Sequence, residues 1–233
     1  MNIECRETTG ANETRCRILG AARMLFSRFG FFGTSIRDIA KASSVNLSAV
    51  NYHFQNKENL LWEVISDSYE SAEEAISRLA EEAPNFEGLA LGVFDHFVTN
   101  KALIRNTMKL LMTDGLQPPA DSSFMIRAKQ SFGPPGSRFF ASRLQNEIDF
   151  PLSDFGVHWG VKSVFGAIVH WSSLCTSSHF EALRETNPYL HPDQVREDVR
   201  LLARSTLFYI QSHSELFKAP LHELDSTSVV KPT

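Results

Sequence analysis

The run Leu47-Ser-Ala-Val-Asn-Tyr-His-Phe54 concentrates more interacting groups than any other stretch of the chain. At helical spacing only Val50 and Phe54 share an inward i, i+4 stripe, which leaves Ser48, Ala49, Asn51, Tyr52 and His53 outward. A hydroxyl, an amide, a phenol and an imidazole beside one small residue form a surface that donates and accepts hydrogen bonds at close approach. The major groove of DNA accepts such a helix, because each base pair displays its own pattern of donors and acceptors there. Arg37 and Lys41 before this run, and Lys57 after it, are placed to bracket it with phosphate contacts.

A helix that buries two side chains needs a scaffold, and the flanking sequence supplies one. Ile18, Ala21, Ala22, Leu25, Phe26 and Phe29 form one face of a first helix, with Asn12 or Thr14 as its cap. Gly30 stops it, and Gly33 lets the chain turn. Thr34 is placed to cap a second helix with Ile36, Ile39 and Ala40 inward. Ser43 to Asn46 interrupts that helix, Val45 plugs the turn, and Asn46 caps the third helix. Asn56 introduces a fourth helix over about 57–83, with Leu60, Leu61, Val64, Ile65, Tyr69, Ala72 and Ile76 on its apolar side. Pro84-Asn85 marks a boundary, after which helical patterns recur around 87–100, 102–114, 122–131, 137–148, 154–177 and 193–213. No β-branched alternation persists, so the fold reads as all-α in unequal parts. The parts are an arm over 1–12, a helix-turn-helix domain over 13–58, a larger helical domain over 84–215 and a loose tail over 216–233.

The net charge of −4 conceals a division along the chain. Residues 13–62 hold seven Lys and Arg against three acids, net +4, whereas the 171 residues beyond hold 15 basic and 22 acidic side chains, net −7. A basic head on an acidic body binds a polyanion locally and repels it elsewhere. Hydrophobic residues at 42% and charged residues at 21% exclude a globally disordered chain. The polar N-terminus has no apolar signal segment, and Cys5, Cys16 and Cys175 are scattered, so a reduced cytoplasmic setting is expected.

The segment TRCRILGAARMLFSRFGFFGTSIRDIAKASSVNLSAVNYHFQNKENLL resembles the DNA-binding domain of the TetR family over about fifty residues without gaps. The resemblance rests on A-x-x-L-F-x-x-x-G, G-T-S-I-R-D-I-A, the S-V-N turn, Y-H-F and N-K-E-N-L-L, in that order and spacing. It implies a base or phosphate contact for Arg37, base-edge contacts for Ser48, Ala49 and Asn51, and backbone or base contacts for Tyr52 and His53. Asn46 joins this DNA-binding set. Lys57 would reach a phosphate, and Thr34 would cap the second helix and touch the backbone. Members often carry Tyr at the position of Asn51; the substitution gives Asn51 a base-reading role, to adenine. The partner implied is double-stranded DNA bearing a palindromic operator.

Beyond Pro84 the resemblance is one of architecture. It implies a pocket for a small apolar effector, aromatic or acyl-bearing, touching Phe94, Phe97, Met108, Met112 and Phe139. It also implies a homodimer formed by the last two helices, through Gly156, Gly160, Val161, Val164, Phe165, Ile168, Val199, Leu202 and Leu207. The simplest alternative buries both helices in their own subunit. Effector binding would move the region 57–83 and release a repressor from its operator. A second class of function is a DNA-bound structural or recruiting factor that senses no small molecule. Asp154 and His158 stand i, i+4, yet two ligands make no metal site, and no metal or cofactor is expected. No G-x-S-x-G, H-E-x-x-H or phosphate-cradling glycine loop is present, so catalysis is not expected.

Overall fold

The computed structural model describes residues 11–101, 104, 107, 108, 115–130 and 133–219. The helices among them are α1 (Ala11–Phe29), α2 (Ile36–Ala42), α3 (Leu47–Phe54), α4 (Lys57–Glu82), α5 (Phe86–Thr99), α6 (Ser123–Gln130), α7 (Ser137–Asn146), α8 (Asp154–Cys175), α9 (Ser178–Arg184), α10 (Pro192–Ser212) and α11 (Ser214–Phe217), with a 3₁₀ turn at Pro188–Leu190. The β pairing among the described residues is one isolated bridge between Leu152 and Lys218. Two compact units divide the chain: residues up to Ser71 group with 105–130, and residues 72–104 group with those from Ser131 onward.

In the first unit Ile18, Ala22 and Phe26 of α1, Ile39 and Ala40 of α2, Val50 and Phe54 of α3, and Leu60, Leu61, Val64 and Ile65 of α4 share one core. Asn12 and Thr14 lie inside α1 rather than at its start. The cap of α2 is Ser35, not Thr34. Ser35 Oγ accepts the Asp38 N–H at 3.1 Å while the Asp38 carboxylate accepts the Ser35 N–H at 3.1 Å. This reciprocal box satisfies two amide donors that the helix start leaves open. Thr34 is only 3% exposed, and its hydroxyl donates to Gly30 O at 2.8 Å and to Leu25 O at 3.2 Å. It therefore closes the end of α1. Residues 115–130, which follow the Pro84 boundary in sequence, pack with these N-terminal helices. Phe124 of α6 lies 5.2 Å from the Trp62 ring and 5.4 Å from that of Tyr69, and Ser123 Oγ donates to Glu63 at 2.8 Å.

In the second unit α5, α7, α8 and α10 surround a chain of edge-to-face rings. Phe86 meets Phe140 at 5.9 Å, Phe140 meets Phe165 at 5.3 Å, and Phe165 meets Phe97 at 6.5 Å. Arg196 pairs with Asp95 at 2.9 Å and Arg204 with Glu87 at 2.6 Å, tying α10 to α5 along the rim of that core. Solvent screens these surface pairs, so the rings carry the packing and the ions fix its register.

This core takes in most of the residues expected at a dimer interface. Gly156, Gly160, Val161, Val164, Phe165, Ile168 and Val199 are all buried within the chain itself, while Leu202 and Leu207 are half-buried. The small residue at 160 serves an internal contact: a Cβ there would lie 2.5 Å from Leu144 and 3.1 Å from Ile210. Gly156 likewise faces the Phe217 backbone. The loose tail is corrected for its first residues, because Phe217 and Ala219 are buried. Ser153 N–H donates to Phe217 O at 2.7 Å, and Ala219 N–H donates to Pro151 O at 2.9 Å.

Gly160→Val is expected to overpack this junction and lower stability by about 1–3 kcal/mol. Gly166 lies on the same helix with nothing within 4 Å of a Cβ. Gly166→Ala should therefore stabilise the chain by roughly 0.5–1 kcal/mol. Denaturant unfolding of both variants reads the contrast; equal and small effects would show that α8 has room at Gly160.

Candidate nucleic-acid interface

The geometry of α3 follows from what its two ends do. Asn46 accepts the Ala49 N–H on its side-chain oxygen at 2.7 Å, which starts the helix. Gln55, at φ 64°, ends it, with its N–H donating to Asn51 O at 2.8 Å. Val50 and Phe54 are buried between these points. Asn46, Ser48 and Asn51 are exposed, Ala49 and His53 are half-buried, and Tyr52 is 82% exposed. The Tyr52 and His53 rings meet edge to face at 5.2 Å, so each restricts the other's rotamers. Arg37 and Lys41 of α2 are exposed as well. A row of hydroxyl, amide, phenol and imidazole groups thus stands on one short helix, with cations on the helix before it.

Two expected DNA contacts have other tasks. Lys57 Nζ donates to Phe31 O at 3.1 Å and to Thr34 O at 3.0 Å, and stands 4.2 Å over the Phe31 ring. Its ammonium pins the first turn of α4 to the α1–α2 connection, which removes it from the set of free phosphate contacts. Thr34 is buried, with its hydroxyl committed to α1, and offers no surface to a phosphate. Seven of the nine expected residues therefore remain on the surface: Arg37, Asn46, Ser48, Ala49, Asn51, Tyr52 and His53. The Ser35–Asp38 box was legible as Ser-x-x-Asp at the start of α2, although Thr34 competes with it in sequence.

The expected effector residues are not gathered in one place. Phe94 and Phe97 are buried in the second unit, Phe97 against Phe165. Phe139 is half-buried, with the Arg138 guanidinium 4.6 Å above its ring. Met108 groups with the first unit, and Met112 lies outside the described residues. A pocket of about 200 Å³ in the second unit is lined by none of these five. The apolar side chains left exposed on α8 and α10 are Phe155 at 60%, Leu201 at 59% and Phe208 at 74%, with Tyr209 beside them. Their signal in the sequence was the i, i+7 pair Leu201 and Phe208, opposite the buried Val195, Val199, Ala203, Thr206 and Ile210. Among the described residues no three His, Cys, Asp or Glu side chains are placed to hold a metal, and no helix is long and apolar enough to cross a membrane.

Two predictions separate scaffold from contact. Lys57→Met should lower stability by about 1.5–3 kcal/mol through loss of charged hydrogen bonds. Unchanged unfolding, with a weaker salt dependence of DNA binding, would instead make Lys57 a phosphate contact. At the α2 cap, hydrogen bonds from the Ser35 side chain and backbone hold the Asp38 carboxyl below its ordinary 3.8. A lowered folded value makes the cap's contribution complete above 3.8 and lost as pH falls through that lower value. Unfolding of wild type and Asp38→Asn against pH should converge in acid; a constant difference would contradict this role.

The sequence profile of "Bacterial regulatory proteins, tetR family" matches residues 18–64, which covers α1 from Ile18 to the first turns of α4. The probable HTH-type transcriptional regulator YttP of Bacillus subtilis is 37% identical over 86 residues, a match that spans 35% of this chain and 41% of that protein. A putative transcriptional regulator from Rhodococcus sp. RHA1 shares the fold at a TM-score of 0.59 and 16% identity, over 83% of this chain and 98% of that one. AibR, solved with isovaleryl coenzyme A and operator DNA, superposes at a TM-score of 0.53 and 19% identity, over 81% of this chain and 96% of its own. The helices that present Ser48 to His53 thus match the tetR-family profile in sequence, and about four fifths of the chain shares its fold with solved regulators; residues 18–64 form a TetR-type DNA-binding domain.

Proposed function

We propose that the protein is a transcriptional regulator that binds a palindromic operator as a homodimer and releases it when a small molecule binds. The observation that carries this reading is the outward row on α3, where Tyr52 is 82% exposed beside Ser48, Asn51 and His53 on a helix anchored by two side chains. An exposed aromatic and three hydrogen-bonding groups serve no packing purpose, whereas base edges and phosphates accept all of them. Arg37 and Lys41 supply positive charge in a head whose net charge is +4 over residues 13–62.

A palindrome needs a two-fold protein, with half-sites about one helical turn, or 34–36 Å, apart. Phe155, Leu201, Phe208 and Tyr209 form the apolar face that a second copy would cover, replacing the buried residues of the sequence expectation. Responsiveness to a ligand is supported by the fold shared with AibR, whose structure holds both an acyl thioester and operator DNA. Within the first unit, α6 rests on Trp62 and Tyr69 of α4, and α4 shares a core with α3. A displaced 115–130 segment would tilt α3 through that core, with coupling of about 1–3 kcal/mol.

Titrations of selected DNA fragments with the purified protein test the reading. Affinity should fall about 10³-fold or more between 50 and 200 mM salt. Tyr52→Ala should cost about 1–3 kcal/mol of binding with folding intact. Phe208→Lys should shift sedimentation from dimer to monomer and weaken operator binding with it. Salt-insensitive binding, or a Tyr52→Ala protein that binds as the parent does, would overturn the assignment.

A further inference from the structure

Glu63, on α4, gives its two carboxylate oxygens to two different helices. Arg15 of α1 donates from Nη2 to Oε2, and Ser123 of α6 donates from Oγ to Oε1 at 2.8 Å. The same Arg15 guanidinium lies 5.3 Å from the centre of the Phe54 ring, and Phe54 is one of the two buried side chains of α3. Contacts thus run Ser123, Glu63, Arg15, Phe54, from the 115–130 segment to the helix that carries Ser48 to His53. All four residues belong to the first unit.

Stability alone does not account for this arrangement. The Arg15 and Glu63 side chains are 40% and 29% exposed, and ion pairs open to solvent add little to folding. Helix α1 is held to α4 without them, by Ile18, Ala22 and Phe26 in the shared core and by a second ion pair between Arg23 and Asp67. Phe124 likewise keeps α6 on Trp62 and Tyr69 whether or not Ser123 donates. What the Glu63 contacts add is a dependence of one helix on another. A guanidinium has donors enough to take both oxygens of a carboxylate. While Ser123 occupies Oε1, Arg15 holds Oε2 and rests over Phe54. Withdrawal of Ser123 frees Oε1 for a second bond from Arg15, and a fork closed on Glu63 is drawn off the Phe54 ring.

We propose that Glu63 and Arg15 are positioning residues for DNA recognition, which set α3 through Phe54 and make its setting depend on Ser123 of α6. Neither residue needs to touch DNA. The proposal rests on the DNA-binding reading above and names the side chains by which the 115–130 segment governs α3.

Titrations of selected operator DNA with the full chain test it, using Ser123→Ala, Glu63→Gln, the double variant and Arg15→Met beside the parent. Ser123→Ala and Glu63→Gln should each weaken operator binding about fivefold or more, with thermal unfolding close to the parent's. The double variant should bind no more weakly than Glu63→Gln alone, because Ser123 acts through that carboxylate. Arg15→Met should weaken binding at an unchanged salt slope, whereas a lost phosphate contact would lower the slope by about one. Parent-like affinity in Ser123→Ala, losses that add in the double variant, or a lowered slope in Arg15→Met overturns the proposal. Ser123→Ala removes only a hydroxyl, so the first of these outcomes is decisive even where Glu63→Gln fails to fold. A parent that shows no salt-sensitive operator binding removes the DNA-binding reading and this one with it. Parent binding with indifferent variants removes this one alone.

Discussion

The shallow anchoring of α3 shapes the first unit. Val50 and Phe54 are the side chains by which this eight-residue helix enters the core, and an isolated helix of that length is marginal in water. Its position therefore depends on the neighbours that hold those two side chains and on the turns at either end. Asn46 caps the start, Gln55 closes the finish, and the Lys57 ammonium fixes α4 to the α1–α2 connection through the carbonyls of Phe31 and Thr34. A lysine spent on two backbone oxygens holds the frame in which Ser48, Asn51, Tyr52 and His53 stand. The outward side chains of α3 are not among those that anchor it in the core, so they can vary at little cost to the fold.

The second unit obeys the opposite constraint. Its helix α8 is buried on several sides at once, by Leu144 of α7 and Ile210 of α10 against Gly160, and by the ring chain through Phe165. A helix enclosed in this way exposes only narrow stripes, and each stripe takes on a different character. One carries His158 and Lys162 beside the pocket of about 200 Å³; another begins at Phe155 and continues in the exposed Leu201 and Phe208 of α10. Surface chemistry in this unit is what the core leaves over.

That contrast explains what was legible in the sequence. In α1 to α4 the apolar period is clean, because each helix buries one face, and the helices and the outward residues of α3 could be read directly. Thr34 and Ser35 are adjacent hydroxyl residues, and which one caps α2 is decided by whether Thr34 reaches back to Gly30, a contact that no spacing rule contains. The choice of dimer residues meets a related limit. When a helix is apolar nearly all round, as α8 is, periodicity does not distinguish the face turned to its own subunit from the face left for a partner. The effector residues were chosen by aromatic character, and in this unit aromatic character marks the ring core. Short elements such as α9 and α11 bury too little to leave a pattern: α9 has no buried residue, and α11 is fixed by Phe217 and two backbone hydrogen bonds.

The most direct test of the central claim, that α3 reads the major groove in a two-fold complex, is hydroxyl-radical footprinting of DNA selected from genomic fragments by the purified protein. The predicted result is a palindromic site with two protected patches on one face of the duplex, centred about one helical turn apart. A single protected patch, or selected fragments with no shared sequence, would contradict it.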